Sequence, residues 1–277
     1  MLINIKGSLL DLSSPIVMGI LNVTPDSFFA GSRYQTEEKI FLRAEEIIKQ
    51  GGKIIDVGGY STRQGAEEVT EAEELKRVAF AIEIIRKRFP ETPISIDTFR
   101  SGVAKEAVSN LGASIVNDIS GGELDKEMFQ TVAALNTPYI LTHSKGTPQT
   151  MQQYTDYIDF IQEIFRYFAE KINKLKLLGV NDIILDPGFG FAKTLEQNYE
   201  LLARLNLFSS FGLPILAGIS RKRMIWQLLG VSPAESLNGT SVLNTLALQQ
   251  GANILRVHDV KEAVEAVILF EKYNKII

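Results

Sequence analysis

Pro93-Ile-Ser-Ile-Asp97-Thr98 is followed, after a stretch long enough for a helix, by Ser114-Ile-Val-Asn117-Asp118. Each is a short run rich in β-branched residues that closes on hydrogen-bonding side chains. The same arrangement recurs at 16–21, 53–57, 138–141, 182–185, 213–217 and 253–257, eight runs in all. They are continuous rather than alternating, the pattern of strands buried on both faces of a parallel sheet. Between them apolar residues fall at helical spacing: Ile40, Ala44, Ile47 and Ile48; then Ile158, Ile161, Phe165, Phe168, Ile172 and Leu175; then Ala263, Val264, Val267 and Ile268. Thr70-x-x-Glu73, Thr194-x-x-Gln197 and Asp259-x-x-Glu262 predict capping boxes, and Ser232-Pro233-x-Glu235 predicts a helix start with proline at the first position. Gly51-Gly52 and Gly179 stand where helices should end. Strand and helix repeating without a linker predict an α/β fold, a single (β/α)8 TIM barrel over residues 1–277. Residues 1–14, turning at Lys6-Gly7-Ser8, read as an N-terminal β-hairpin that closes the barrel bottom. An open doubly wound sheet would call for a glycine-rich phosphate turn, and neither G-x-G-x-x-G nor G-x-x-x-x-G-K-[ST] occurs.

Composition narrows the function. The 277 residues carry 29 Lys+Arg against 33 Asp+Glu, a net charge of −4, with no cysteine and two histidines. Disulfides, thiolate metal sites and cysteine nucleophiles are excluded, a histidine-rich zinc site is disfavoured, and a reducing, cytoplasmic setting is expected. A mildly acidic chain lacks the basic face of a sequence-independent nucleic-acid binder. The apolar stretch at 16–21 is far shorter than the ~20 residues a membrane span needs, so no membrane association is expected.

Every strand ends in a polar tail. In order these are Asn22-Val-Thr24, Asp56 with Tyr60-Ser61-Thr62-Arg63, Asp97-Thr98, Asn117-Asp118, His143, Asp186-Pro-Gly-Phe189, Ser220-Arg221-Lys222 and Arg256-Val-His258. One such residue alone usually caps a helix or a turn. In a barrel all eight ends converge on one mouth, where catalytic groups sit. Asp56, Asp97, Asn117 and Asp186 suit a flat ligand rich in N–H donors and lactam edges. Lys222, Arg221, Arg256, Arg63 and His258 bring cations to the same mouth, and the helix starting at Asp259 offers amides to an anion. The pattern points to a heterocycle below and a phosphate near the rim.

These strings resemble the dihydropteroate synthase family over nearly the whole chain. They are Met18-Gly-Ile-Leu-Asn22-Val-Thr-Pro-Asp-Ser-Phe28, Gly58-Gly-Tyr-Ser-Thr-Arg63, Ser95-Ile-Asp97-Thr, Val116-Asn-Asp-Ile-Ser-Gly-Gly122, His143-Ser-Lys-Gly-Thr-Pro148, Leu185-Asp-Pro-Gly-Phe-Gly-Phe191, Gly218-Ile-Ser-Arg-Lys222 and Arg256-Val-His-Asp-Val260. The resemblance implies a transferase of folate biosynthesis that joins 6-hydroxymethyl-7,8-dihydropterin pyrophosphate to p-aminobenzoate, a sulfonamide target. It implies that Asp97, Lys222 and Arg256 are catalytic and that Asp97, Asn117, Asp186, Lys222 and Arg256 hold the pterin. Asn22, Arg256 and His258 would hold the pyrophosphate, with Asn22 placing Mg²⁺. Phe28, Ser61, Thr62, Arg63, Phe189 and Ser220 would shape the p-aminobenzoate pocket. A homodimer is implied too.

The chain departs from the usual family pattern at Tyr60, where Glu is common, and at Gln64, where Pro is common. Thr142 and Ser144 flank His143 in place of methionines, and Ala192 replaces a glycine. His143 reads as a partner of nearby backbone rather than a catalyst, and Trp226 reads as packing. Two other functions share the barrel and the pterin-binding Asp/Asn set: a catalytically silent pterin-binding homologue, and a methyltetrahydrofolate-binding methyltransferase module. A barrel glycosidase would need paired carboxylates among aromatic sugar platforms, which one tryptophan does not supply.

Overall fold

In the computed structural model of the chain, which describes residues 1–23, 33–60 and 69–276, the strand runs close into a barrel. The barrel strands are β3 (Ile16–Asn22), β4 (Ile54–Gly58), β5 (Ile94–Asp97), β6 (Ile115–Asp118), β7 (Tyr139–Thr142), β8 (Ile183–Asp186), β9 (Leu216–Ala217) and β10 (Ile254–Val257). Neighbours run parallel in the order β8-β7-β6-β5-β4-β3-β10-β9. The ring is completed by a parallel bridge between Leu185 and Ile215, with Leu185 N–H donating to the Pro214 carbonyl at 2.8 Å. The expected strand over 213–217 shortens to β9 because Pro214 has no N–H to give a ladder.

Helices α1 (Arg33–Lys49), α2 (Glu71–Arg88), α3 (Ser101–Glu106), α4 (Met128–Leu135), α5 (Phe160–Leu177), α6 (Leu195–Ala203), α7 (Arg223–Leu229), α8 (Leu237–Gln249) and α9 (Val260–Asn274) lie outside the strands. Their starts follow the sequence in part. Thr194 and Gln197 form a complete capping box, and Glu235 accepts from both the N–H and the hydroxyl of Ser232. Thr70 accepts from the Glu73 N–H, but the Glu73 carboxylate turns to Arg77 instead of closing the box. Asp259 does not cap α9 at all, for reasons given below. Ile158, read as part of a helical stripe, stands before α5 and is fully exposed.

The hairpin is present, with β1 (Leu2–Ile5) antiparallel to β2 (Ser8–Asp11). Ile3, Ile5 and Leu12 pack with the inward residues Met18, Ile54, Ile115, Ile140, Ile184, Leu216 and Ile254, sealing the barrel bottom with hydrocarbon. Side chains alternate along a strand, so the residue two further on also points inward. That step leads from Ile54 to Asp56, from Ile115 to Asn117, from Ile184 to Asp186 and from Ile254 to Arg256. The apolar plug therefore sets a polar layer directly above it. Leu12 is fully buried in the plug. Leu12→Ala is expected to lower the urea unfolding free energy by about 2–5 kcal/mol, with the turnover of the folded fraction unchanged; an unaltered unfolding midpoint would show that the hairpin does not close the barrel.

Candidate active site

Arg256, on β10, lies at the centre of the polar layer. Its Nε donates to Asp56 Oδ2 at 2.6 Å and its Nη2 to Asp97 Oδ2 at 2.5 Å. Asn117 donates to the same Asp56 oxygen at 3.1 Å, while Asp56 Oδ1 is buried without a partner among the described residues. Asp56 thus holds a residue on β10 and another on β6. Burial raises the Asp97 pKa to about 7, against the pull of Arg256. The neighbouring position is Gly58, where an added Cβ would stand 3.2 Å from Asn22 Oδ1 and 3.5 Å from Asp97 Cβ. The missing side chain lets Asn22 and Asp97 share one space across three strands.

Asp186 and Lys222 form the opposite wall. Asp186 Oδ1 accepts from the Gly188 N–H at 2.8 Å, and burial raises its pKa while Lys222 and Arg256 oppose the rise. Lys222 Nζ donates to the Phe189 carbonyl and sits 4.4 Å from the centre of the Phe191 ring. Burial lowers the Lys222 pKa to about 8, with Asp186 opposing. The Phe189 ring is fully buried in the outer core, so this residue meets the site through its carbonyl.

Two of the expected mouth cations are different in the structure. Arg221 turns away and binds Asp259 through two bonds of 2.9 and 2.8 Å, with further bonds to the Pro233 and Ala234 carbonyls. This forked pair takes the carboxylate that the sequence assigned to capping α9. His258 is neutral at physiological pH, because burial and then Arg256 bring its pKa to about 4. Its N–H donates to Ser220 Oγ at 3.1 Å, and the Ser220 hydroxyl faces His258 Nδ1 at the same distance. His258 therefore brings a neutral imidazole rather than a positive charge to the mouth. The His143 ring lies 3.0 Å from Lys193 Nζ and also has a hydrogen bond to its own backbone.

The structure thus brings together Asn22, Asp97, Asn117, Asp186, Lys222 and Arg256, with Ser220 and His258 paired beside them. Phe28, Ser61, Thr62, Arg63 and Gln64 lie outside the described residues. Asp56 is legible in the sequence as an acceptor at the mouth, but not as the anchor of Arg256 and Asn117, and Lys193 is not legible there at all. The two-residue step from Ile54 marks Asp56, whereas nothing in the pattern marks Lys193.

Residues 18–258 match the pterin binding enzyme family. The dihydropteroate synthase of Escherichia coli K12 is 47% identical over 268 residues, which cover 96% of this chain and 94% of that protein. The chain belongs to the dihydropteroate synthase family. A Yersinia pestis dihydropteroate synthase in a sulfonamide drug complex superposes with a TM-score of 0.92 at 41% identity, covering 99% of this chain and all of that one. The Xanthomonas albilineans dihydropteroate synthase with 4-aminobenzoic acid gives 0.91 at 36% identity, covering 99% and 98%.

For a synthase whose ligand must meet an ionised Asp97 and a protonated Lys222, binding is strongest between the two pKa values. Asp97 gains its charge as pH rises through about 7 and Lys222 loses its own as pH rises through about 8. Calorimetric pterin affinity is therefore expected to peak between these values, and Asp97→Asn should abolish the acid limb. A flat profile from pH about 6 to 9 would remove both groups from the binding step.

Proposed function

We propose that this chain makes 7,8-dihydropteroate and pyrophosphate from 6-hydroxymethyl-7,8-dihydropterin pyrophosphate and p-aminobenzoate. One observation carries the reading. Asp56, Asp97, Asn117, Asp186, Lys222 and Arg256 converge from six strand ends on one mouth, in a chain 47% identical to a dihydropteroate synthase.

In this reading Asp97, Asn117, Asp186 and Lys222 hold the pterin edge, and the planar Arg256 guanidinium lies against its ring. Buried carboxylates that need N–H partners reject heterocycles lacking them. Asn22, Arg256 and the neutral His258, with the first amides of α9, receive the pyrophosphate. Phe28, Ser61, Thr62 and Arg63, with Ser220, Lys222 and the turn carrying Phe189, are assigned to the p-aminobenzoate pocket.

The bond from the methylene carbon to the bridging oxygen breaks, and its electron pair leaves with pyrophosphate. The positive charge spreads into the dihydropterin ring, where ionised Asp97 stabilises it. The arylamine lone pair then forms the new C–N bond, and the nitrogen loses one proton to solvent. No covalent enzyme intermediate is required.

Mg²⁺ suits this site only as an ion carried largely by the diphosphate. Among the described residues no group of three acidic, histidine or cysteine side chains is placed to cage a metal. The Asn22 side-chain oxygen is the hard donor available, in keeping with an ion that retains its waters and binds mainly phosphate. When bound, the ion would neutralise charge on the leaving group.

A homodimer belongs to the same reading. Leu228 and Leu229 on α7, Val242 and Leu246 on α8, and Ile268 and Leu269 on α9 are all exposed. Light scattering should give a dimer mass that falls to the monomer in Leu246→Arg; a monomer from the unaltered chain would dismiss this part. The cysteine-free composition supports a cytoplasmic setting, and among the described residues no helix is long and apolar enough to cross a membrane.

The test of the function is pyrophosphate release with Mg²⁺, with and without p-aminobenzoate, while dihydropteroate is followed by chromatography. Equal amounts of both products are expected, with losses of roughly 100-fold or more in Asp97→Asn and Lys222→Ala. Tight pterin binding without product would overturn the synthase reading and leave a silent pterin-binding protein.

A further inference from the structure

Lys193 has no part in the division of labour above, yet its exposure is only 3%. An ammonium carries three donors and no acceptor. All three are met: Lys193 Nζ stands 3.0 Å from His143 Nδ1, 2.9 Å from the Gly188 carbonyl and 3.0 Å from the Phe191 carbonyl. Burial lowers the Lys193 pKa well below its ordinary value, with Asp186 opposing; where the ammonium donates to His143 Nδ1, the single ring proton of the neutral imidazole resides on Nε2. Burial, then the adjacent Lys193, push the His143 pKa well below its ordinary value, consistent with a ring that stays neutral.

The two carbonyls that Lys193 grips flank the turn that serves the active site. Inside that turn, Gly188 donates its N–H to Asp186, and the Phe189 carbonyl receives Lys222. Gly188 has φ +74°, and a Cβ there would fall 2.0 Å from the His143 carbonyl oxygen, so the turn rests directly on the residue that follows β7. Gly190 is tied separately, its N–H donating to Asn198 Oδ1 at 2.6 Å. Lys193 therefore bridges three points: the end of β7, the start of the turn and its finish.

We infer that Lys193, seated on His143, is a positioning residue that fixes the 188–191 turn so that Asp186 and Lys222 meet the pterin together. The inference deepens the synthase reading and rests on it. Lys193 touches neither substrate in this scheme; it acts through the turn. The arrangement also gives His143 a task, as the neutral acceptor that completes the ammonium's shell.

The variants are Lys193→Met, His143→Leu and His143→Asn. Asparagine keeps an acceptor near the place of Nδ1, and leucine removes it. Pterin affinity by calorimetry, KM for p-aminobenzoate, kcat and the thermal midpoint are measured on each. Lys193→Met and His143→Leu are expected to weaken pterin binding and raise KM by about tenfold, while His143→Asn restores most of the loss. With two histidines in the chain, ¹⁵N-histidine spectra resolve His143, which should remain the Nε2–H tautomer from pH about 5.5 to 8.5 and change in Lys193→Met. If Lys193→Met does not fold, the leucine and asparagine pair at His143 decides. Folded Lys193→Met or His143→Leu with lowered thermal midpoints but unchanged pterin affinity and KM would overturn the inference and leave a purely structural bond. A titrating His143 would overturn it too. Failure of the unaltered chain to make dihydropteroate strikes the synthase reading itself; turnover by that chain with indifferent variants strikes only this one.

Discussion

A guanidinium shared between two buried carboxylates sets the terms for the rest of the barrel. Removing acids from water is costly, and a buried acid is tolerated when it is paired and hydrogen-bonded. Asp56, Asp97 and Asp186 lie within one barrel, and Arg256, Lys222 and Lys193 stand among them. Three acids thus face three basic groups, and burial works against the charge on Asp97 and on Lys193 alike. Arg256 answers Asp56 and Asp97 directly, and Lys222 and Lys193 answer Asp186 across the mouth. Asp97 keeps a raised pKa because burial outweighs its one close cation, whereas Arg256, pressed by several acids, is held more firmly protonated than usual. A ligand that separates Arg256 from Asp97 must return an N–H donor to that carboxylate. An aminopyrimidine edge can do so, and a plain hydrocarbon ring cannot.

The charged cluster exists because the lower layer is dry. The hairpin residues Ile3, Ile5 and Leu12 fill the bottom with hydrocarbon, and the two-residue step of each strand lifts the next inward side chain toward the mouth. The stability of the plug and the polarity of the site are thus parts of one alternation. A slip of one residue in β4, β5 or β8 would exchange a core aliphatic for the site carboxylate Asp56, Asp97 or Asp186.

Much of this is legible in the amino-acid sequence. The eight strand runs, the hairpin and the convergence of Asp97, Asn117, Asp186 and Arg256 follow from short-range pattern and parity. What escaped depends on contacts between distant segments. Asp259 has the spacing of a helix cap, but Arg221, reaching from the preceding strand end, offers it two charge-assisted bonds. His258 looks like a cation until its burial and the nearby Arg256 are seen. Lys193 stands one residue before the Thr194 cap, where lysine normally faces water, and only the arrival of His143 from β7 closes its shell. Asp56 was visible as an acceptor, but its hold on Arg256 and Asn117 depends on residues from two other strands.

Gly188 carries a consequence for how the site can change over time. Its left-handed backbone and the His143 oxygen, which an added Cβ would approach to 2.0 Å, leave no room for even a methyl group. Active-site surfaces under drug selection usually drift one residue at a time. Here any side chain at position 188 would press on the His143 oxygen and displace the turn that presents Asp186 and Lys222. A compound built to press against this turn would meet a wall that natural variation has little freedom to reshape.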